Sequence, residues 1–296
     1  MIDLETQYAW EMMRKRRIAA AGGGSTPLTL TALTAGSKVT LNKVGSPSAV
    51  SLEYSTGGAW ATYTIGTEIT LTSAGDYIKF RGDNSTFGTT ATDYYQFVMS
   101  GTIGASGNVM SLVDSTCKLL TIPCDFCFRS LFSACTSLTT APSLPATTLA
   151  SYCYRGMFYG CTGLTTAPAL PATTLVTECY RSMFQNCTSL TSAPSLPATT
   201  LAVYCYRYMF NGCTGLTTAP ALPATALAPS CYQAMFYHCP KLSSIEVSFT
   251  SWTQATNQTT GWVTSVASSG TFTKPAALAE EYGTSKIPTG WTVINK

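Results

Sequence analysis

Hydrophobic positions follow two different periods along the chain. In residues 26–107 apolar and polar residues alternate over short segments, and turn residues such as Gly57-Gly58 separate the segments. Alternation with a period of two predicts strands with one buried face. About seven strands in a stretch of this length are typical of a small β-sandwich. The clearest predicted strands are 28–30, 39–41, 49–54, 68–71, 77–80 and 95–99.

From about residue 108 the apolar positions recur every 26 residues. The unit Cys-Tyr-Arg-x-Met-Phe-x-x-Cys-Thr-x-Leu-Thr-x-Ala-Pro-x-Leu-Pro-Ala-Thr-Thr-Leu starts, with variations, at Cys127, Cys153, Cys179, Cys205 and Cys231. A fixed period of this length predicts stacked units, because each unit buries its apolar face only against its neighbours. Four equivalent columns are expected inside the stack: Phe132, Phe158, Phe184, Phe210 and Phe236; Leu138, Leu164, Leu190, Leu216 and Leu242; Leu144, Leu170, Leu196 and Leu222; and Leu149, Leu175, Leu201 and Leu227.

Each unit also predicts its own secondary structure. The Thr-rich run before each Ala-Pro is the expected strand, which proline keeps short because it cannot donate to a ladder. The Cys-Tyr-Arg-x-Met-Phe segment suits a short helical turn on the opposite wall. After Leu242 the period breaks, and the tail is interpreted as a cap with a helix near 257–266 and strands near 270–273 and 291–294.

The repeat unit resembles the BspA-like class of leucine-rich repeats, whose unit reads roughly Ala-Phe-x-x-Cys-x-x-Leu-x-x-Ile-x-Leu-Pro-x-x-Leu. The departures are Met for Ala, Ala-Pro for Ile, and a slightly longer unit. The resemblance implies a right-handed solenoid used for attachment or recognition, commonly on the surfaces of gut anaerobes and in their phages. The matching places in one unit are Met157-Phe158, Cys161, Leu164, Ala167, Leu170, Pro171 and Leu175.

The N-terminal segment predicts an amphipathic helix over residues 1–19. Apolar residues follow a helical spacing, acidic residues fall in the first turn and basic residues in the last, as the helix dipole favours. The glycines of residues 22–24 form a linker that frees the helix to bind elsewhere, although packing on its own domain is the alternative. The expected anchor residues are Leu4, Tyr8, Trp10, Met12 and Met13.

The predicted fold class is therefore mainly β with short helices. Residues 1–25 are expected to form the anchor helix and linker, and residues 26–107 an Ig-like sandwich that serves as a spacer. Residues 108–245 are expected to form the right-handed leucine-rich-repeat solenoid, and residues 246–296 its C-terminal cap.

Composition excludes several classes of function. Charged residues make up 10% of the chain and the net charge is +3, so nucleic-acid binding has no electrostatic footprint. The chain contains no run of 18 apolar residues, so no membrane span is predicted. Most of the twelve cysteines are expected to be free thiols in core columns, with bridges between units as the alternative. The pair Cys124-x-x-Cys127 is half of a zinc motif without its other half, so neither metal nor cofactor is expected.

Catalysis is not expected either. The one histidine, His238, occupies a repeat position that varies, and no base and orienter mark a nucleophile. The acids Asp125 and Glu178 belong to units two apart on the same wall, which supplies no opposing carboxyl for glycoside hydrolysis.

One arginine column has two interpretations. Locally, each guanidinium stacks on a neighbouring Tyr154, Tyr180 or Tyr206 and caps helical carbonyls. Functionally, the column and the tyrosines beside it form a surface for an anionic partner such as an acidic capsular glycan. The candidate ligand-binding residues are Arg129, Arg155, Arg181, Arg207, Tyr152, Tyr159, Tyr204, Tyr208 and Tyr237.

These features predict a non-enzymatic surface protein of a phage particle, either a fibre or a decoration protein. Residues 1–20 would bind other virion proteins, and the repeats would face a host-surface glycan or protein. Assembly into a homo-oligomer is left open. The lack of an export signal favours the virion surface over the alternative, a bacterial cell-surface adhesin. An intracellular scaffold is a third possibility.

Overall fold

The computed structural model describes residues 26–253 and 255–296. The expected anchor helix and glycine linker of residues 1–25 lie outside the described residues. The described part contains one four-residue 3-10 helix, Val109–Leu112, and no helix there is long and apolar enough to cross a membrane. Its strands are β1 Leu28–Ala32, β2 Ser37–Val44, β3 Leu52–Ser55, β4 Ala61–Tyr63, β5 Ile69–Leu71, β6 Tyr77–Arg81, β7 Tyr94–Ser100, β8 Ile103–Ser106, β9 Leu138–Thr140, β10 Ser244–Glu246, β11 Thr271–Lys274 and β12 Thr292–Asn295.

Strands β1 to β8, here called the sheet region, follow the period-two pattern. Each of the six segments named from alternation contains or overlaps a strand, so these predictions are confirmed. The sheets have the orders β4-β3-β6-β1-β8-β9 and β5-β2-β7. Side chains of both sheets meet in a shared core, where the rings of Phe80 and Phe97 lie 5.4 Å apart. Strand β9 belongs to the first repeat and pairs in parallel with β8, so the larger sheet continues past residue 107.

Residues 126–242, here called the repeat stack, bury the columns that the 26-residue period indicates. Phe158 and Leu164 are fully buried. Rings of the phenylalanine column stack nearly parallel, with centroids 5.6 Å apart between Phe158 and Phe184. In the fourth column, however, Leu201 and Leu227 are only partly buried.

The backbone of each Cys-Tyr-Arg-x-Met-Phe segment is a run of turns. Every fourth residue has a positive φ, with values of 61° at Tyr152, 60° at Gly156 and 70° at Gly160. A helix needs φ near −63° at every residue, so this pattern excludes one. Backbone N–H groups donate alternately within a turn and to the next repeat. For example, Met157 donates to the Tyr154 carbonyl at 3.1 Å, and Phe158 donates to the Met183 carbonyl at 2.9 Å.

The predicted fold class is wrong. Helical residues amount to 1% in the described part of the chain, and its three small sheets neither close nor form a solenoid. Only β9 lies in the repeat stack, and other Thr-rich runs meet through isolated bridges such as that between Thr174 and Thr200. The expected walls of parallel strands and helical turns are thus absent from the described residues, because left-handed residues interrupt any helix and most Thr-rich runs do not pair as strands.

The C-terminal segment forms a parallel sheet in the order β10-β11-β12. The two strands expected near 270–273 and 291–294 are found, as β11 and β12. The helix expected near 257–266 is wrong, because Asn257, Gly261 and Ser265 have positive φ and continue the turn pattern of the repeats.

Candidate binding surface

The arginine column lies along the turn segments of the repeat stack. Within one segment Cys153, Tyr154, Met157 and Phe158 are buried, whereas Arg155 between them is half-buried. The four arginines of the column are all half-buried. The period of 26 residues aligns them in successive units, so the repeat itself produces a row of like charges.

One carboxylate neutralises the middle of this row. The Glu178 Oε2 atom accepts from Arg155 Nη1 at 2.9 Å and from Arg181 Nη1 at 3.0 Å. Its side chain is only 9% exposed, so this ion pair is poorly screened by solvent. The equivalent position holds Tyr152 and Tyr204 in the adjacent units. Glu178 therefore replaces an aromatic residue where two guanidinium groups need a counter-charge.

Arginines at the two ends of the row have aromatic partners instead. Arg129 donates to the Ala91 carbonyl and lies over the ring of Tyr94 at 4.9 Å. Burial and the charge of Arg155 lower the pKa of Arg129. Within the described part of the chain no carboxylate lies within 4.0 Å of Arg129 or Arg207. Neither end of the row therefore has an acidic ion-pair partner in the part of the chain that the structure describes.

Arg207 lies over two tyrosine rings. Its guanidinium carbon lies 5.0 Å from the ring centroid of Tyr204 and 4.7 Å from that of Tyr208. Its Nη2 donates to the Tyr208 hydroxyl at 3.2 Å, while its Nε is buried without a hydrogen-bond partner in the described structure. Both tyrosines are half-buried. This cluster presents a cation and two rings side by side, which suits an anionic ligand with an apolar face.

The structure does not place the arginines on Tyr154, Tyr180 and Tyr206, the rings on which they were expected to stack. Tyr154, Tyr180 and Tyr206 are buried and stack on one another, with ring centroids 5.9 Å apart for the first pair and 6.0 Å for the second. They form a core column and offer no surface to the arginines. The turn segments have no helical carbonyls to cap.

The remaining candidate tyrosines do not join the arginine clusters. Tyr152 stacks on Phe126 at 4.4 Å, and Tyr159 is 40% exposed. Tyr237 packs against His238, whose ring centroid is 4.3 Å away. None of these three tyrosines lies under a guanidinium among the described residues. The anchor candidates Leu4, Tyr8, Trp10, Met12 and Met13 lie outside the described residues.

Two partners of the arginines were not part of the predicted site. Tyr94 comes from β7 in the sheet region, and no sequence period relates it to Arg129. Glu178 does carry a signal, because it interrupts an otherwise mainly aromatic repeat position.

All twelve cysteines are free in the structure. One column of cysteines, here called the inner column, consists of Cys135, Cys161, Cys187, Cys213 and Cys239. Its thiols donate across the stack, as from Cys161 Sγ to the Phe132 carbonyl at 3.0 Å and from Cys187 Sγ to the Phe158 carbonyl at 3.1 Å. Burial raises the pKa of Cys135 to about 12. No group of three or more potential metal ligands of the His, Cys, Asp or Glu type occurs among the described residues.

Comparison with known proteins gave no match: no family model, curated protein or solved structure resembles the chain significantly.

Proposed function

We propose that this chain is a non-enzymatic attachment protein that binds an acidic glycan through the arginine–tyrosine surface of its repeat stack. The ligand class follows from the chemistry of the surface. Guanidinium groups recognise carboxylates and sulfates in a bidentate manner, and tyrosine rings provide rigid contact area for sugar rings.

The observation that carries the proposal is the cluster of Arg207, Tyr204 and Tyr208. Arg155 and Arg181 already share the Glu178 carboxylate, so their charge serves the fold first. Arg207 has only aromatic side-chain partners among the described residues and stays half-buried at the surface. Its charge is therefore the one most available to a ligand.

The biological setting is a separate part of the proposal. The assignment to a phage particle, in which residues 1–20 bind other virion proteins, rests on two features. These are the repeat's resemblance to BspA-like sequences and the amphipathic pattern of residues 1–20. A bacterial cell-surface adhesin would use the same surface. Binding to an isolated polysaccharide tests the surface without depending on either setting.

The test measures binding of the full chain to polygalacturonate, a uronic-acid polymer, with neutral dextran as the ligand control. Arg207→Gln should weaken binding by about fivefold or more at low salt, and the difference should shrink as salt screens the charge. Gln is structurally acceptable at this repeat position, because Gln233 occupies it in the last unit.

Lys38→Gln is the matched control variant. It removes the same charge from an exposed pair with Glu68 in the sheet region, away from the candidate surface. Equal affinities of Arg207→Gln and Lys38→Gln for polygalacturonate would contradict the proposed surface. Failure of the unmodified chain to bind polygalacturonate better than dextran would contradict the acidic-glycan class.

A further inference from the structure

One cysteine differs from the other eleven in exposure. Cys124 is partly exposed, whereas all the others, including Cys117, are buried. Like Cys117, it stands outside the inner column and outside the outer column, which consists of Cys127, Cys153, Cys179, Cys205 and Cys231. The equivalent position in the later units is Ala150, Val176, Ala202 and Ala228. A thiol at this place is therefore a departure from the repeat and is not required by its packing.

Cys124 lies against the first member of the outer column. The side chains of Cys124 and Cys127 lie close enough for each to shift the pKa of the other, and Cys127 is 1% exposed. The pair spans a tight turn, in which Phe126 has a φ of 58°. An accessible thiol thus contacts a buried thiol three residues away in the chain.

A loop of the sheet region packs on this pair. The Cys124 Sγ donates to the Gly88 carbonyl oxygen at 3.9 Å. Gly88 fits only because it lacks a side chain, since a Cβ there would lie 2.5 Å from the Phe126 carbonyl oxygen. The loop therefore directs a polar backbone group at the sulfur of a partly exposed cysteine.

We propose that Cys124 and Cys127 form a thiol–disulfide exchange site for low-molecular-weight disulfides. The Cys124 thiolate attacks one sulfur of the small disulfide, forming a mixed disulfide and expelling one thiolate. The Cys127 thiol then loses its proton and attacks the Cys124 sulfur, expelling the second thiol. Overall, the small disulfide is reduced to two thiols and the protein gains a Cys124–Cys127 disulfide.

The acidities of the two thiols agree with these roles. The hydrogen bond from Cys127, together with the backbone groups of Phe87 and Gly88, outweighs burial and lowers the pKa of Cys124 to about 7. Burial raises the pKa of Cys127, and the hydrogen bond to Cys124 raises it further. The attacking thiol should be the more acidic and accessible one, and the resolving thiol the buried one.

The experiment uses the reduced full chain under native conditions with 4,4′-dithiodipyridine, which releases a coloured thiopyridone for each thiol consumed. The fast phase should release two equivalents and leave an intramolecular disulfide with no retained adduct. Its rate should rise with pH through about 7, the pKa of Cys124, and should exceed that of the buried thiols by about a hundredfold or more. Peptide mapping should place the new bridge between Cys124 and Cys127.

Variants assign the roles. Cys124→Ala, which places in the first unit the residue found at Ala150, should abolish the fast phase. Cys127→Ala should release one equivalent and retain one thiopyridyl group on Cys124. Cys205→Ala, the control in the same buried column, should behave as the unmodified chain.

A fast phase that survives in Cys124→Ala overturns the proposal, as does a retained adduct or a bridge to Cys153 in the unmodified chain. If Cys127→Ala fails to fold, the peptide map and Cys124→Ala still decide between these outcomes.

Discussion

The sheet region and the repeat stack bury apolar side chains equally well but by different backbone geometries. In the sheet region, antiparallel strands such as β2 and β7 pair over seven residues, and inward side chains alternate with outward ones. In the repeat stack, turn segments pair with their counterparts in the next unit through every second N–H group. A core can thus be regular in its side chains while its backbone is neither helix nor sheet.

The two regions require different backbone conformations of their residues. Strands need only extended conformations, which lie in the broadest allowed region for L-residues, although proline cannot donate to the ladder. The turn segments need a left-handed residue at every fourth position, and several of these are not glycine, such as Tyr208 at a φ of 58°. Left-handed conformations cost about 1 kcal/mol for such residues, so the stacked core must offset a cost that the sheet region avoids.

The largest expected effect is loss of a ring from the stacked column. Phe184→Ala removes a fully buried side chain that stacks on Phe158 and Phe210, and should lower the free energy of unfolding by about 3–5 kcal/mol. Urea unfolding measures this loss. Phe80→Ala in the sheet region should cost a similar amount, because Phe80 is equally buried.

Hydrogen exchange distinguishes the two ring variants. Because each repeat contacts mainly its neighbours, Phe184→Ala should reduce amide protection in the repeat stack more than in β2 and β7. Phe80→Ala should show the opposite order. Equal loss of protection throughout the chain in both variants would indicate one fully cooperative unit and remove the energetic distinction between the regions.

Sequence patterns predicted side-chain burial better than they predicted the backbone. Alternation predicted six of the eight strands of the sheet region and missed β4 and β8, and the 26-residue period predicted buried columns such as that of Leu164 and Leu190. The left-handed residues were missed because Tyr152 or Ser182 in that conformation carries no local signal, unlike glycine. The arginine row followed from the period, whereas its contact with Tyr94 depends on how the two regions meet.

A smaller effect is expected at the carboxylate within the arginine row. Glu178→Gln leaves Arg155 and Arg181 close together without their shared counter-charge, and should lower the free energy of unfolding by about 2 kcal/mol. This figure lies below that for a fully buried pair, because the two arginine side chains are 26% and 21% exposed. Chemical denaturation at low salt measures the difference.

Glu68→Gln is the counterpart in the sheet region. Its pair with Lys38 is about half exposed on both sides, with side-chain exposures of 48% and 52%, and should contribute no more than about 0.5 kcal/mol. Equal losses for the two variants would show that the Glu178 carboxylate is screened as well as a surface group, in conflict with its burial.

Replacing alanine by glycine should change the free energy of unfolding in opposite directions in the two regions. Ala134 is exposed with a φ of 59°, and the same position holds Gly160 in the next unit. Ala134→Gly should raise the free energy of unfolding by about 0.5 kcal/mol, because glycine adopts this conformation without a Cβ clash. Ala61→Gly, at an exposed position of β4, should lower it by about 0.5–1 kcal/mol. A loss of stability in both variants would show that the left-handed geometry imposes no net strain at Ala134.

The smallest expected effect concerns a carboxylate near the start of the repeats. Burial raises the pKa of Asp114, but hydrogen bonds from the Thr116 side chain and from backbone N–H groups of residues 116, 118 and 119 outweigh it and hold the pKa below 3.8. The folded-state pKa is therefore below the unfolded value, so the ionised carboxylate stabilises the fold above pH 3.8 and this contribution disappears as pH falls through the folded pKa.

Because the carboxylate of Asp114 is largely exposed, this contribution should not exceed about 0.5 kcal/mol. Asp114→Asn should be less stable than the unmodified chain at pH 6, and the two should converge in thermal unfolding as the pH falls below 3.8 through the folded-state pKa. Asp93 provides the comparison in the sheet region, since the backbone N–H of Ser46 and the Thr90 hydroxyl lower its pKa in the same direction, and Asp93→Asn should converge likewise. A gap between Asp114→Asn and the unmodified chain that does not narrow below pH 3.8 would mean that the amide disrupts the turn sterically, and that the charge of Asp114 contributes nothing.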